Sequence, residues 1–306
     1  MFANMQEIVD AAKSLPNRQR LVVAAAQDQD VLEAVRDAVE WGIVTAILVG
    51  DADKIAAIAS EVGFPLEKCT VIPEADPILA ARKAVAMVAD GQGDLVMKGK
   101  IATADILRAV LDKEKGLRTG RLLSHVTAFD IQGIGRMLFM TDAAMNIAPD
   151  LGQKAQIVQN AVDVVRALGF ERPKVAALAA VELVNPDMPA AIEAALLAKM
   201  ADRGQIKGAI VDGPLALDNA ISLHSAQVKG IESIVAGNAD ILMVPDIEAG
   251  NVLYKSIVYF GHAVRVAGVI AGARAPVVLT SRSDSHEAKL DSIAFSAVYA
   301  AGLKSY

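Results

Sequence analysis

The chain has 306 residues, 54% of them hydrophobic and only 4% aromatic, with 36 acidic against 30 basic side chains and a formal net charge of −6. That length exceeds what one hydrophobic core usually serves, so two lobes are expected, and the aliphatic composition suits buried parallel strands covered by helices rather than a sandwich. The acidic balance argues against general nucleic-acid binding, which relies on counterion release by a basic surface; a mean hydropathy of +0.38 raises a membrane reading, but no apolar run, LVVAAA at 21–26 and AVRVAGVIAGA at 263–273 included, supplies the roughly 20 apolar residues of a spanning helix.

The N-terminal MFANMQEIVDAAKSL reads as an amphipathic helix with acidic residues. It lacks the basic start and apolar core of a secretory signal, so a cytoplasmic protein is expected. Beyond it, short apolar runs alternate with amphipathic segments that carry start and stop signals, a repeated βα pattern. Strands are predicted at 21–26, 43–49, 69–72, 94–97, 136–140, 174–179, 208–212, 240–244, 264–270 and 276–280. The third holds Cys69, the single cysteine, which rules out an internal disulfide and a cysteine-based zinc site. Its apolar surroundings mark it as a buried structural residue. Asp76 and Pro77 open the best delimited helix and Gly91 closes it. Another helix runs from Pro189 to Gly204. Pro149 and Gly152 place a boundary near 140–150. No repeat, low-complexity stretch or linker is present, so a second lobe must arise by chain crossing.

Between Lys98 and Arg121 seven basic residues face three acidic ones, a local net charge of +4 that leaves −10 for the rest of the chain. Charge alone fits either a solvated basic face or an anion site. In open parallel sheets ligands lie beyond the carboxyl ends of the strands, where helix N-termini present free N–H groups. That rule selects KGKIATAD after DLVM, PDIEAGN after DILMV and SRSDS after PVVLT.

In KGKIATADILRAVL, 98–111, Gly99 makes a turn, and Thr103 is placed to cap a helix with the stripe Ile106, Leu107, Val110 and Leu111. Arg108 points roughly 130° from that stripe, which fits a solvent-facing side chain or one facing a cleft. In PDIEAGNVLYKSIVYFGHA, 245–263, Asn251, Tyr254 and Lys255 share one helical face, either as a site or as a contact between lobes. In SRSDSHEAKL, 281–290, Ser281 and Arg282 fall at the expected anion position. An arginine there binds phosphate through two parallel N–H groups. Asp284 with Glu287 reads as a capping pair. The four histidines occupy separate segments without metal-ligand spacing, so no metal site is expected. No GxGxxG, GxSxG or Walker loop is present.

The run MKGKIATADILRAVLDKEKGLRTGRLLSHVTAFDI at 97–131 resembles the phosphate acetyl/butyryltransferase family, most closely its butyryl branch. So do DGPLALDNAIS at 212–222, VPDIEAGNVLYKSIVYFGHA at 244–263 and APVVLTSRSDSHEAKLDSIAFS at 275–296. The resemblance covers nearly the whole chain. It implies a three-layer α/β/α fold of two lobes similar to isocitrate and isopropylmalate dehydrogenases. The first lobe would take 1–140 plus 275–306 and the second 141–274, with the active site in the cleft between them and a homodimer or higher homo-oligomer as the working form. It further implies the reaction acyl-CoA plus phosphate to acyl phosphate plus CoA, without metal or redox cofactor, coenzyme A being a substrate.

Residue by residue, the family's Ser-Arg pair matches Ser281 and Arg282, the arginine holding phosphate and the serine near the thioester. Its helix motif matches Thr103, Ala104, Asp105 and Arg108, which makes Arg108 a second anion-binding position. A further motif falls on Gly250, Asn251, Tyr254 and Lys255. Lys98, Arg121, Ser124, His125 and Asp284 lie in matching runs and are carried as phosphate- or CoA-binding positions. The acetyl branch has an aspartate several residues after the Ser-Arg pair as the base for the CoA thiol. Here the nearest acids are Asp284 and Glu287, and Glu287 takes that role because Asp284 is better placed to cap. The acetyl branch also has His-Thr where Ile101 and Ala102 stand, which points away from an acetyl-only enzyme. The alternatives are an acetyl-preferring transferase, an NAD-dependent dehydrogenase on the same fold, and a non-catalytic CoA or acyl-phosphate sensor. The presence of Ser281 and Arg282 speaks against the last.

Overall fold

The computed structural model describes residues 2–261, 264–280 and 284–304. In chain order it begins with α1 (Met5–Lys13), β1 (Gln19–Ala24), α2 (Gln29–Glu40), β2 (Val44–Gly50), α3 (Ala52–Val62), β3 (Cys69–Pro73), α4 (Pro77–Ala89), β4 (Leu95–Lys98) and α5 (Thr103–Val110). Next come β5 (Ser124–Ile131), β6 (Leu138–Thr141), α6 (Leu151–Ala167), β7 (Lys174–Leu178), α7 (Pro189–Asp202), β8 (Ile210–Leu215), α8 (Leu217–Ile221), α9 (Leu223–Val228), β9 (Ile241–Met243) and α10 (Ile247–Phe260). The chain ends with β10 (Val264–Ala271), β11 (Val277–Val278) and α11 (His286–Leu303).

Chain contacts group these elements into a terminal unit, Met5–Arg121 with Arg265–Tyr306, and a central unit, Leu122–Val264 with Met1–Asn4. In the terminal unit the strand order is β3-β2-β1-β4-β11-β10, parallel except for β10. Leu21, Val22, Val23 and Ala24 of β1 are all fully buried. Successive strand residues point to opposite faces, so both faces of β1 must be covered. Helices α1, α2 and α11 pack together as one cover and α4 with α5 as the other, with α11 and α4 both touching β1 and β4. This is the expected α/β layering, and it explains why the strand reads as an unbroken apolar run. In the central unit the order is β5-β6-β9-β7-β8, parallel except for β5. There α6 packs on β5, β6 and β9, and α7 on β7 and β8.

The units turn over at Leu122 and Arg265 rather than at 141 and 275. The cause is β5, a strand that the pattern of apolar runs does not reveal. It pairs antiparallel with β6 (Thr127↔Met140, Phe129↔Leu138), and β6 pairs with β9, which ties 124–141 to the central unit. The break expected near 140–150 is a tight loop inside that unit, where the Asp142 carboxylate accepts from the backbone N–H groups of Ala144 and Met145. At the other end Arg265 forks onto Asp291 of α11, which joins β10 to the terminal unit.

Helix limits follow the local signals. The Asp76 side chain accepts from Ile78 N and Leu79 N, Pro77 is the first residue of α4, and Gly91 stands beyond its end at φ +74°. Cys69 is half-buried, and desolvation pushes its thiol up to about 11, as befits an unreactive residue.

Asp94, at the start of β4, fastens the end of α11 to β1. It accepts from Arg20 N at 2.7 Å, from Arg20 Nε and Nη2 at 3.0 and 2.8 Å, and from Lys304 Nζ at 2.8 Å. Burial alone would push its carboxyl up, but these donors outweigh burial and hold it well below the usual carboxylate range. A depressed folded-state pKa gives stability that is present above the unfolded value of about 4 and lost as pH falls below it. Denaturant midpoints should therefore drop from about pH 4 downward, and Asp94→Asn should flatten that acid limb while removing roughly 2 kcal/mol at neutral pH.

Candidate functional site

In the terminal unit the carboxyl ends of β1, β4 and β11 lie side by side. Strand β1 runs out through Ala25, whose φ of +54° puts a non-glycine residue in the left-handed region. Such a backbone costs on the order of 1 kcal/mol and persists only where its surroundings hold it. Here Ala25 O accepts from Lys100 N at 2.7 Å and Ala24 O from Gly99 N at 2.8 Å. A Cβ on residue 99 would stand 2.2 Å from Ala25 O, so only glycine allows this approach.

Beyond these strand ends opens a cavity of about 310 Å³, its wall including Asp28, Asp30, Lys98, Lys100, Thr280 and Lys289. Three lysines and two aspartates thus share its lining. The Lys98 side chain is nearly buried, and its Nζ donates to Gly99 O and Ile101 O, both at 3.3 Å. Lys289 is only 2% exposed; its Nζ donates to Asp284 O at 2.6 Å and lies 3.5 Å from the Asp30 carboxylate. Asp28 is held as the cap of α2, accepting from Val31 N at 3.1 Å.

The entry to α11 differs from the expected capping pair. Ser285 is the cap, its Oγ accepting from Ala288 N at 3.1 Å, and the helix starts one residue later than expected. Glu287 is then the second rather than the third helical residue and cannot reach back to close a capping box. Its exposed carboxylate instead lies 3.4 Å from Arg265 Nε. Asp284 stands before the cap, with its carbonyl taken by Lys289. Ser281 and Arg282 lie outside the described residues.

Thr103 is likewise not a cap. It is the first residue of α5, preceded by Ala102 without a side-chain cap bond. In the expected stripe Ile106 and Val110 are buried, but Leu111 is 45% exposed because the helix ends before it. Arg108 is exposed, its Nη1 2.5 Å from Asp105 Oδ1. Arg121 is exposed, and its backbone N–H donates to Thr119 Oγ1. Neither Arg108 nor Glu287 is among the described residues that line the cavity.

The remaining expected site residues belong to the central unit. Ser124 is fully buried and its Oγ accepts from Asn160 Nδ2 at 3.0 Å, while His125 Nδ1 sits 3.2 Å from Thr127 Oγ1. Asp246 caps α10 through Ala249 N at 2.8 Å. Asn251 and Lys255 are exposed on that helix, and the half-buried Tyr254 sets its ring centroid 5.8 Å from that of Phe129. The shared face therefore splits between one packed ring and two exposed polar side chains.

Lys289 and Asp30 are the site residues that spacing did not reveal. The one signal was compositional: α11 from Lys289 to Ala300 is buried throughout, and charged residues inside such a helix require partners. Among the described residues no three His, Cys, Asp or Glu side chains converge as metal ligands, and no helix is long and apolar enough to cross a membrane.

The chain matches the family model described as phosphate acetyl/butaryl transferase over residues 3–80 and 74–297. It is 50% identical to the phosphate butyryltransferase of Clostridium acetobutylicum, over 98% of this chain and 99% of that protein. It is 46% identical to the phosphate acetyltransferase of Thermotoga maritima, over 97% and 99% of the two chains. The crystal structure of a branched-chain phosphotransacylase from Enterococcus faecalis superposes with a TM-score of 0.82 at 35% identity, covering 92% of this chain and 99% of that one.

Proposed function

This chain belongs to the phosphate acetyl/butyryl transferase family, and from that premise we propose that it moves a short acyl group, butyryl favoured, between coenzyme A and inorganic phosphate. The observation that carries this reading is the cavity at the carboxyl ends of β1, β4 and β11. It places the buried Lys98, with Lys100 in the same wall, next to the strand that leads into Ser281 and Arg282. Built-in positive charge at that place suits two anionic substrates, whose mutual repulsion is the first barrier to transfer.

In the proposed reaction a phosphate oxygen attacks the thioester carbonyl carbon. The carbon–oxygen bond forms, the carbon–sulfur bond breaks, and the thiolate leaves with the electron pair. Phosphate is already a nucleophile, so no acyl-enzyme is needed. Arg282 holds the phosphate, with Arg108 as a second anion-binding position. Ser281 and backbone N–H groups meet the charge that develops on the carbonyl oxygen. In the reverse direction Glu287 accepts the thiol proton. Thr103, Arg121 and Asp284 of the terminal unit and His125, Asn251, Tyr254 and Lys255 of the central unit are each proposed to contribute to phosphate or CoA binding. Ser124, fully buried with its Oγ bonded to Asn160, instead serves the packing of β5. No oxidation state changes, so the reaction calls for no redox cofactor. The enzyme would work in the cytoplasm as a homodimer, and exposed Val252, Tyr259 and Phe260 on α10 support such an association.

The test is phosphate-dependent release of CoA from acetyl-, propionyl- and butyryl-CoA, followed with a thiol reagent. Butyryl-CoA is expected to react fastest, although each methylene contributes only about 1–3 kcal/mol of discrimination. Fastest release from acetyl-CoA would move the enzyme to the acetyl reading, which the departure at Ile101 and Ala102 disfavours. No release from any of the three would end the enzyme reading.

A further inference from the structure

Lys289 occupies a place that physical chemistry disfavours for an ammonium group. It lies in the first turn of α11, where the helix dipole repels positive charge. It is also only 2% exposed, so its charge has lost most of its hydration. Leu290 and Ile293 beside it show that this stretch of helix is packed as core. An apolar side chain of similar length would satisfy packing without either penalty. Two acceptors offset the burial, the Asp284 carbonyl at 2.6 Å and the carboxylate of Asp30 at 3.5 Å, the latter side chain being 59% exposed. Lys289 and Asp30 line the same cavity as Lys98 and Thr280. Residues that break local rules in this way are characteristic of functional sites.

We propose that Lys289 is a positioning residue for the acyl transfer, an inference that rests on the phosphate acyltransferase reading. Its ammonium ties the backbone of Asp284, two residues beyond Arg282 in sequence, to the first turn of α2 through Asp30. The entry to α11 is thereby held in register with the cavity wall. A small error in this register is enough to reduce turnover, because displacement of reacting groups by about 1 Å can cost up to about a hundredfold in rate.

Lys289→Met is expected to lower kcat for phosphate-dependent CoA release by about tenfold or more, with KM for the acyl-CoA changed less than about twofold. The Tm is expected not to fall. Lys289→Arg keeps the charge and should recover part of the lost kcat. A lysine with a merely structural role gives the opposite pattern, a lowered Tm with unchanged kcat per folded molecule, and that result overturns the proposal. Should the Met variant fail to fold, Asp30→Asn decides at an exposed position. A fall in kcat of about twofold or more with unchanged Tm supports the tie, and an unchanged kcat overturns it. An inactive wild-type enzyme would overturn the parent reading instead, so the two failures are separable.

Discussion

An Arg282→Ala variant is expected to lose about a hundredfold in kcat/KM for phosphate, equivalent to about 2.7 kcal/mol of transition-state stabilisation. Arginine offers phosphate two parallel N–H donors, and charge-assisted hydrogen bonds are each worth about 1.5–3 kcal/mol. Removing the fork also restores the repulsion between phosphate and the phosphates of coenzyme A. Arg282→Lys should recover only part of the loss, because an ammonium supplies charge without the fork. Initial rates over a range of phosphate concentrations at saturating acyl-CoA measure the effect. Unchanged phosphate kinetics in a folded Arg282→Ala protein would remove this residue from the mechanism. Thr280, the residue that precedes the Ser-Arg pair in sequence, lines the cavity.

Arg265→Ala is expected to cost about 3–5 kcal/mol of stability, seen as a fall of about 5–10 °C in Tm. Asp291 is completely buried in α11 and receives Arg265 Nε and Nη2 at 3.0 and 2.6 Å. Loss of the guanidinium takes two charge-assisted hydrogen bonds from a desolvated carboxylate. The double variant Arg265→Met with Asp291→Leu removes both charges and should restore much of the loss, since replacing a whole buried pair by apolar groups is often near neutral. A Tm for Arg265→Ala within about 1 °C of wild type would show that Asp291 does not depend on this pair. The pair also bears on the site, because the same guanidinium lies 3.4 Å from Glu287, the proposed acceptor of the thiol proton. A change at Arg265 is therefore expected to alter turnover as well as stability.

Local signals were legible wherever one short segment carries its own reasons. Pro77 after Asp76 and Gly91 beyond the last turn delimit α4 by backbone chemistry alone. Apolar runs such as Leu21–Ala24 mark strands covered on both faces. Strand β5 escaped this reading because its buried Ser124 and Thr127 look like loop residues. They are tolerated inside only because Asn160 of α6 and His125 satisfy them. The start of α11 was displaced by one residue because two neighbouring side chains, Asp284 and Ser285, could each cap it. The tie of the Asp284 carbonyl to Lys289 accompanies the choice of Ser285.

Residue order by itself determined the α/β class, the strand-to-helix turns that offer anion sites, and the family to which the matching runs belong, because each depends on neighbours within a few turns of chain. Only the tertiary structure decided that β5 joins the central unit, that Glu287 meets Arg265, and that Lys98, Lys289 and Asp30 share one cavity. Those outcomes depend on strand order, which lays β11 beside β4, and on α11 packing against α2. No local period encodes such neighbours, since partners distant in sequence are chosen by burial and hydrogen-bond satisfaction over the whole core.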